Sequence, residues 1–255
     1  MPEDNVRVLH VTDPHLFAEA DGSLRGTVTA DTLQSVVDHI GRQQWPADFV
    51  ASTGDIVQDD SAGAYERFKQ IMAPVGLPVH CVPGNHDVRS LMQAALTGEP
   101  WHYCESFEIG NWHIIGIDSC VDGDAGGRIS DAELTRLRED LSSATAPHVA
   151  VLLHHPPLAM GSKWLDSVGL HNAGDFLEAI TATDNVRTAI FGHVHQAFDK
   201  MFGSVRIIGT PSTCAQFKPY ADEFKLDDNP PAYRRLCLNA DGTIDTELLW
   251  MKADE

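Results

Sequence analysis

The sequence predicts an α/β layered protein with a mixed sheet and a functional site along one sheet edge. Three observations carry that prediction. Short apolar, β-branched runs alternate with stretches of helical periodicity, the pattern of strands laid between helices. Strand after strand ends in polar residues beside Gly or Pro, so reactive side chains gather where the strands stop. Near the end, Asp241-Gly242 supplies a hairpin turn, which adds an antiparallel element to the sheet.

In chain order, Val6–Val11 reads as a buried strand stopped by Thr12-Asp13-Pro14-His15, because Pro14 cannot donate to a ladder. Asp31–Gln43 places Leu33, Val36, Val37 and Ile40 at helical spacing. Phe49–Thr53 is a strand that runs into Gly54-Asp55. Ala62–Met72 is a helix with Tyr65, Phe68 and Met72 on one face. Val79–Val82 is a strand ended by Pro83-Gly84, which leaves Asn85, His86 and Asp87 on a loop. Leu91–Tyr103 begins as a helix. Trp112–Ile117 is a strand followed by the flexible stretch Asp122–Gly127. Ser130 and Glu133 have capping-box spacing, so a helix runs from about Asp131 to Leu141. His148–Leu153 is a strand leading into His154-His155-Pro156-Pro157, and Asp175–Ile180 is a short helix. Thr188–Phe191 leads into Gly192-His193-Val194-His195, and Val205–Ile208 is one more strand.

The 255 residues suit one large domain or two small ones, and no repeat, low-complexity tract or linker divides them. A hydrophobic content of 43% is enough for a substantial core. Lys+Arg is 18 against Asp+Glu 37, a formal charge of -19, which repels nucleic acid and anionic lipid alike. Met1–Asn5 lacks the basic and apolar regions of a signal peptide, and no apolar run approaches the roughly 18 residues of a membrane span. Five cysteines without CxxC spacing suggest reduced thiols in a cytoplasmic protein.

The strand ends collect Asp13, His15, Asp55, Asn85, His86, His154, His193 and His195. Five such clusters in succession are hard to explain as packing, since each would bury or expose polar groups to no purpose. Imidazole with carboxylate and no thiolate suits zinc, manganese, iron or cobalt. Asn85 offers a neutral oxygen ligand, and His86 a proton or a positive charge. Seven ligands are too many for one tetrahedral ion and right for two, which a shared carboxylate would bridge at roughly 3.5–4 Å. Two divalent ions against the charges of Asp13 and Asp55 leave a positive hole in an acidic protein, suited to a small phosphate ester.

Asp13-x-His15, Gly54-Asp55, Gly84-Asn85-His86-Asp87, His154 and Gly192-His193-x-His195 resemble the five motifs of the calcineurin-like metallophosphoesterases, in order. The resemblance implies a four-layer α/β/β/α sandwich and one catalytic domain over 1–255. It implies that Asp13, His15, Asp55 and His195 hold one ion and that Asp55, Asn85, His154 and His193 hold the other. Iron and manganese come first, with zinc or cobalt as alternatives. His86 would face the substrate, with Asn85 and His195 beside it. The choice of His154 over His155 rests on the family's His-x-Pro spacing.

The serine/threonine phosphatases of that superfamily carry arginines and a glutamate where this chain has Gln58-Asp59, Pro83 and Asp87. Without those cations, a diester suits the site better than a monoester dianion. Thr210-Pro211-Ser212-Thr213, Gln216-Phe217-Lys218-Pro219 and Ser162-Lys163-Trp164-Leu165-Asp166 are similar to segments of the bacterial class III cyclic-nucleotide phosphodiesterases. That implies opening of 3′,5′-cyclic AMP to 5′-AMP by a metal-activated hydroxide, with His86 as acid. Trp164 would stack on the base, and Asn172 would bond a phosphate or ribose. Glycerophosphodiesters or a nucleoside-diphosphate lipid are the alternative substrates. His10, His80, His102, His113 and His171 are expected to be structural.

Overall fold

The computed structural model describes residues 5–251; the acidic start at 1–4, read above as no signal peptide, lies outside them. β1 is Val6–Val11, and a ribbon of β2 (Ser23–Leu24) with β3 (Thr27–Val28) leads into α1 (Thr29–Gln43). β4 (Phe49–Ser52), α2 (Ala62–Met72), β5 (Val79–Cys81), α3 (Arg89–Ala95) and β6 (Trp101–Tyr103) follow. Then come β7 (Ser106–Ile109), β8 (Trp112–Gly116), α4 (Asp131–Ser143) and β9 (His148–Leu152). The remainder holds α5 (Lys163–Asp166), α6 (Ala173–Thr181), β10 (Val186–Phe191), β11 (Phe198–Phe202) and β12 (Val205–Gly209). A ribbon of β13 (Gln216–Phe217) and β14 (Leu226–Asp227) precedes the hairpin of β15 (Ala232–Leu238) and β16 (Ile244–Trp250).

Two six-stranded sheets form, ordered β16-β15-β1-β4-β5-β6 and β11-β12-β10-β9-β8-β7. In the first, β1, β4, β5 and β6 run parallel and the β15–β16 hairpin joins antiparallel at β1. In the second, β8, β9, β10 and β12 run parallel, with β7 and β11 antiparallel at the two edges. Phe49, Ala51 and Val82 of the first sheet meet Trp112, Ile114, Leu152 and Ile190 of the second in a dry inter-sheet layer. On the outer face of the first sheet, α1, α2 and α3 pack; α4 and α6 cover the second. The four layers are therefore helix, sheet, sheet, helix. Leu33, Val36, Val37 and Ile40 all bury from α1, each contributing roughly 1.5–3 kcal/mol when removed from water.

Several boundaries differ from the sequence reading. The helix expected from Leu91 stops at Ala95, because Thr97-Gly98 and Pro100 cannot extend it, and Trp101–Tyr103 becomes a strand beside β5. The edge strands β7 and β11 were not read as strands. Four of the five β11 residues are exposed, so no alternation marked it. Ser130 caps α4 by accepting from the Glu133 N–H, while the Glu133 carboxylate turns to Asp118 N–H and Arg136 instead of closing the box. Among the described residues no helix is long and apolar enough to cross a membrane.

Candidate active site

The parallel strands of both sheets end on the same side of the molecule, and the candidate residues stand there. Asp13 and His15 follow β1, Asp55 follows β4, and Asn85 and His86 follow β5; His154 follows β9, and His193 and His195 follow β10. Backbone bonds lace these loops together. Asp13 N–H donates to Gly54 O, His15 N–H to Asp55 O, and Gly192 N–H to His154 O. Two glycines make the approach close enough. A Cβ on Gly84 would sit 2.2 Å from the Asp55 nitrogen, and one on Gly192 would sit 2.1 Å from Thr12 Oγ1. Asp13, His15, Asp55, His193 and His195 all hold φ between 49° and 67°, the left-handed region that ordinary side chains avoid.

Two clusters result. In one, His15 Nε2 and His195 Nε2 lie 3.0 Å apart; Asp13 Oδ1 is 3.5 Å from His195 Nε2, and Asp55 Oδ2 is 3.7 Å from His15 Nε2. In the other, His193 Nδ1 is 2.9 Å from Asn85 Oδ1 and 3.2 Å from His154 Nε2, and Asp55 Oδ1 is 3.5 Å from His154 Nε2. Asp55 thus turns one oxygen to each cluster.

The residues fit metal ions on the chemistry of their lone pairs. His195 Nδ1–H donates to Ala215 O (2.6 Å), His15 Nδ1–H to Gln58 Oε1 (3.0 Å) and His154 Nδ1–H to Thr53 O (2.6 Å). Where the ring is neutral, Nε2 is then a bare acceptor pointed at other acceptors; the extra proton that Asp55 keeps on His154 is one that a cation would displace. Acceptors facing acceptors at 3.0–3.7 Å repel unless a cation lies between them. Burial holds His15 near a pKa of about 4 and His193 near about 3, so both rings are neutral and free to act as ligands. Burial also works against the charge of His154, but the Asp55 carboxylate outweighs it and raises the pKa to about 9. Asp55 itself is held well below the carboxylate range, its own burial outweighed by His154 and His15.

His86 stands beside these clusters. Its backbone N–H donates to Asp55 Oδ1, and Gln58 Nε2 donates to its Nδ1 at 3.3 Å. Because Gln58 Oε1 is committed to His15, the amide orientation is set and His86 keeps its proton on Nε2. Asp87 fastens the loop by accepting from Gly84 N–H, Ile56 N–H and Tyr65 Oη, while burial and Asp55 push its pKa up to about 7. His155 Nδ1 pairs with Ser119 Oγ at 2.8 Å, while a ring nitrogen of His155 lies within 4.8 Å of those of His154 and His193, so the adjacent histidine also stands at the site.

Beneath Asp13 runs a buried chain of five hydrogen bonds: Arg234 to Thr210, Thr210 to His10, His10 to Thr53, Thr53 to Thr12, and Thr12 to Asp13 Oδ2. His10 is neutral, its pKa lowered to about 3 by burial. Sequence reading set His10 down as structural and gave Thr12, Thr53 and Thr210 no individual role in the site.

The clusters floor a cavity of about 270 Å³ whose wall includes Leu24, Arg25, Trp164, Leu165, Phe217 and Phe224. That volume lies near the small end of ligand sites, roughly 300–1,000 Å³, and suits a small molecule. Asn172 is not brought to the cavity. Its amide brackets the Ile129 backbone, accepting from N–H at 3.0 Å and donating to C=O at 2.9 Å, so the expected phosphate or ribose contact is corrected. Phe217, Phe224 and Arg25 went unread as site residues, since isolated aromatics in loops carry no motif.

Residues 6–197 match the calcineurin-like phosphoesterase family. The chain is 37% identical over 242 residues to the 3′,5′-cyclic adenosine monophosphate phosphodiesterase CpdA of Pseudomonas aeruginosa, covering 95% of this chain and 89% of that one. It is 38% identical over 247 residues to the protein of the same name from Escherichia coli K12, covering 96% and 90%. A dimetal phosphatase structure from Danio rerio superposes with a TM-score of 0.67 at 15% identity, covering 97% of this chain and 99% of that one, which shows the shared fold alone. The chain belongs to the calcineurin-like phosphoesterase family.

Proposed function

We propose that this protein hydrolyses 3′,5′-cyclic AMP to 5′-AMP at a site holding two divalent ions. The observation that carries the reading is the pair of acceptor clusters sharing Asp55 at the floor of a small, aromatic-walled cavity. Relatives at 37–38% identity over nearly the whole chain bear the name of that activity. Asp13, His15, Asp55 and His195 would hold one ion, and Asp55, Asn85, His154 and His193 the other, within one catalytic domain. Iron and manganese fit this imidazole, carboxylate and amide set, as do zinc and cobalt. When bound, such ions neutralise phosphoryl oxygens and make water a nucleophile at neutral pH.

The chain's own residues supply the rest. Water adds across the bond between phosphorus and the 3′ oxygen, and that oxygen leaves needing a proton. His86, carrying its proton on Nε2 through the Gln58 contact, donates a hydrogen bond that stabilises the departing oxygen, which takes up the proton released by the attacking water. Asp87 and Tyr65 hold the His86 loop at its distance from the floor. Trp164 offers the base an apolar ring at the wall. The free cysteines agree with a reducing, cytoplasmic setting, and the acidic surface with a small substrate over a nucleic acid.

The test is a substrate panel with metal analysis on one preparation made without chelator. Two ions per chain are expected, and cyclic AMP and bis-p-nitrophenyl phosphate should be cleaved well ahead of p-nitrophenyl phosphate. A preference for the monoester in kcat/KM would overturn the proposal.

A further inference from the structure

We infer that the base of the substrate is gripped by an aromatic clasp of Trp164, Phe217 and Phe224, closed by Arg25, and that this clasp selects nucleoside diesters; the inference rests on the phosphodiesterase reading above. The three rings come from separate segments. Trp164 is on α5, Phe217 on β13, and Phe224 in the loop before β14. Their centroids lie 5.2, 5.2 and 5.3 Å apart at 68°, 75° and 71°, so every pair meets edge to face. None of the three is stacked on another, and a planar base can therefore stack without first breaking a stack. The parallel contact in the group is Phe217 on His195, at 3.9 Å and 9°, which fixes the wall against the metal floor. A base held by the wall thus sits at a set distance from the phosphorus.

Two further observations point to a ligand there. Trp164 Nε1 is buried and has no acceptor among the described residues, although Trp164 lines the cavity. A purine carries ring nitrogens that can accept from it. Phe224 is 42% exposed and lines the cavity, which leaves ring surface for a ligand to cover. What meets it is Arg25 from the β2–β3 ribbon, whose guanidinium lies 4.8 Å from the ring centroid. Two segments far apart in sequence, around Arg25 and Phe224, therefore touch across the cavity. A cation–π contact between exposed groups is weak enough to open and close.

The test compares three diesters: cyclic AMP, a ribose 3′,5′-cyclic phosphate lacking the base, and bis-p-nitrophenyl phosphate. Wild-type protein should favour cyclic AMP over the baseless diester by on the order of 10- to 100-fold in kcat/KM, mainly through KM. Phe224→Ala should erase most of that preference and weaken 5′-AMP binding, read by calorimetry, by a similar factor. Arg25→Ala should lose less. Should Phe224→Ala fail to fold, Phe224→Leu keeps most of the bulk without the π face and should lose the preference equally. If wild type cleaves cyclic AMP and the baseless diester equally well, the clasp is wrong and the phosphodiesterase reading stands. Cleavage of bis-p-nitrophenyl phosphate with neither cyclic diester would overturn both.

Discussion

On the floor of the cavity, His154 is fully buried, with Nδ1 bonded to Thr53 O and Nε2 turned to Asn85 and Asp55. On the wall, Phe224 is 42% exposed and is met by two rings and one guanidinium. The floor is built on strand ends, and its side chains are fixed by backbone carbonyls and by left-handed backbone at five positions. Such strain costs of order 1–3 kcal/mol per residue and persists only where the surroundings over-determine it. The wall is built on two short ribbons, a one-turn helix and a loop, held by side-chain contacts worth little singly. The floor can therefore fix a reaction, while the wall can change its substrate without disturbing the chemistry.

The sharpest way to break this contrast is at Asp55, where the two clusters join. Asp55→Ala should lose both ions by metal analysis and cut kcat by more than about 10³-fold, beyond the 10–100-fold typical of a residue that only supports a ligand. Two ions retained at full affinity would make the floor two independent sites. His86→Ala comes next. With metals and fold kept, the loss on cyclic AMP should be about 10²–10⁴-fold, and smaller on bis-p-nitrophenyl phosphate, whose leaving group departs without a proton. Loss of metal in that variant would move His86 into the ligand set.

Chelation separates floor from wall by stability. Binding at 100 times Kd stabilises by about 2.7 kcal/mol, and a chain of this size shifts Tm by roughly 2–4 °C per kcal/mol. With two such sites, removing both ions should lower Tm by about 10–20 °C, reversibly on adding them back, and equally in wild type and Phe224→Ala. A Tm indifferent to chelator would mean the floor does not hold ions in the folded protein. The smallest effect is expected at Asn172, which belongs to neither region. Asn172→Ala should cost about 1–3 kcal/mol by leaving Ile129 backbone groups unpaired, seen as a lower Tm. Its ratio of cyclic AMP to bis-p-nitrophenyl phosphate cleavage should hold; a fall in that ratio would put Asn172 back on the wall.

The same contrast explains what could be read from the sequence. His, Asn and Asp at strand ends beside Gly and Pro are rare as packing residues, so the floor was legible one residue at a time. Its grouping into two clusters came from the family resemblance, because no spacing in the chain pairs Asp13 with His195, 182 positions on. Asn172 was misread because a buried amide that braces backbone has the same composition as one that binds a ligand. Gln58 showed only as an absent arginine, although it orients both His15 and His86. The helices with clear stripes, α1 and α2, were found, while β11 was missed because nearly all of it is exposed and β7 because four alternating residues are a short signal.

The chain of hydrogen bonds under Asp13 has a direction. Its last carboxylate can only accept and its first guanidinium can only donate, so every hydroxyl between is forced to point the same way. His10, being neutral, must carry its proton on Nε2. Arg234 is 5% exposed, and burial lowers its pKa only to about 10, so it remains charged at neutral pH. Its charge is thereby extended as a row of aligned dipoles to the carboxylate on the floor. Such a row admits replacement only in kind: serine for Thr53 keeps the polarity, whereas valine leaves one donor and one acceptor stranded in the interior. The C-terminal hairpin, which supplies no candidate ligand, is electrically a part of the site.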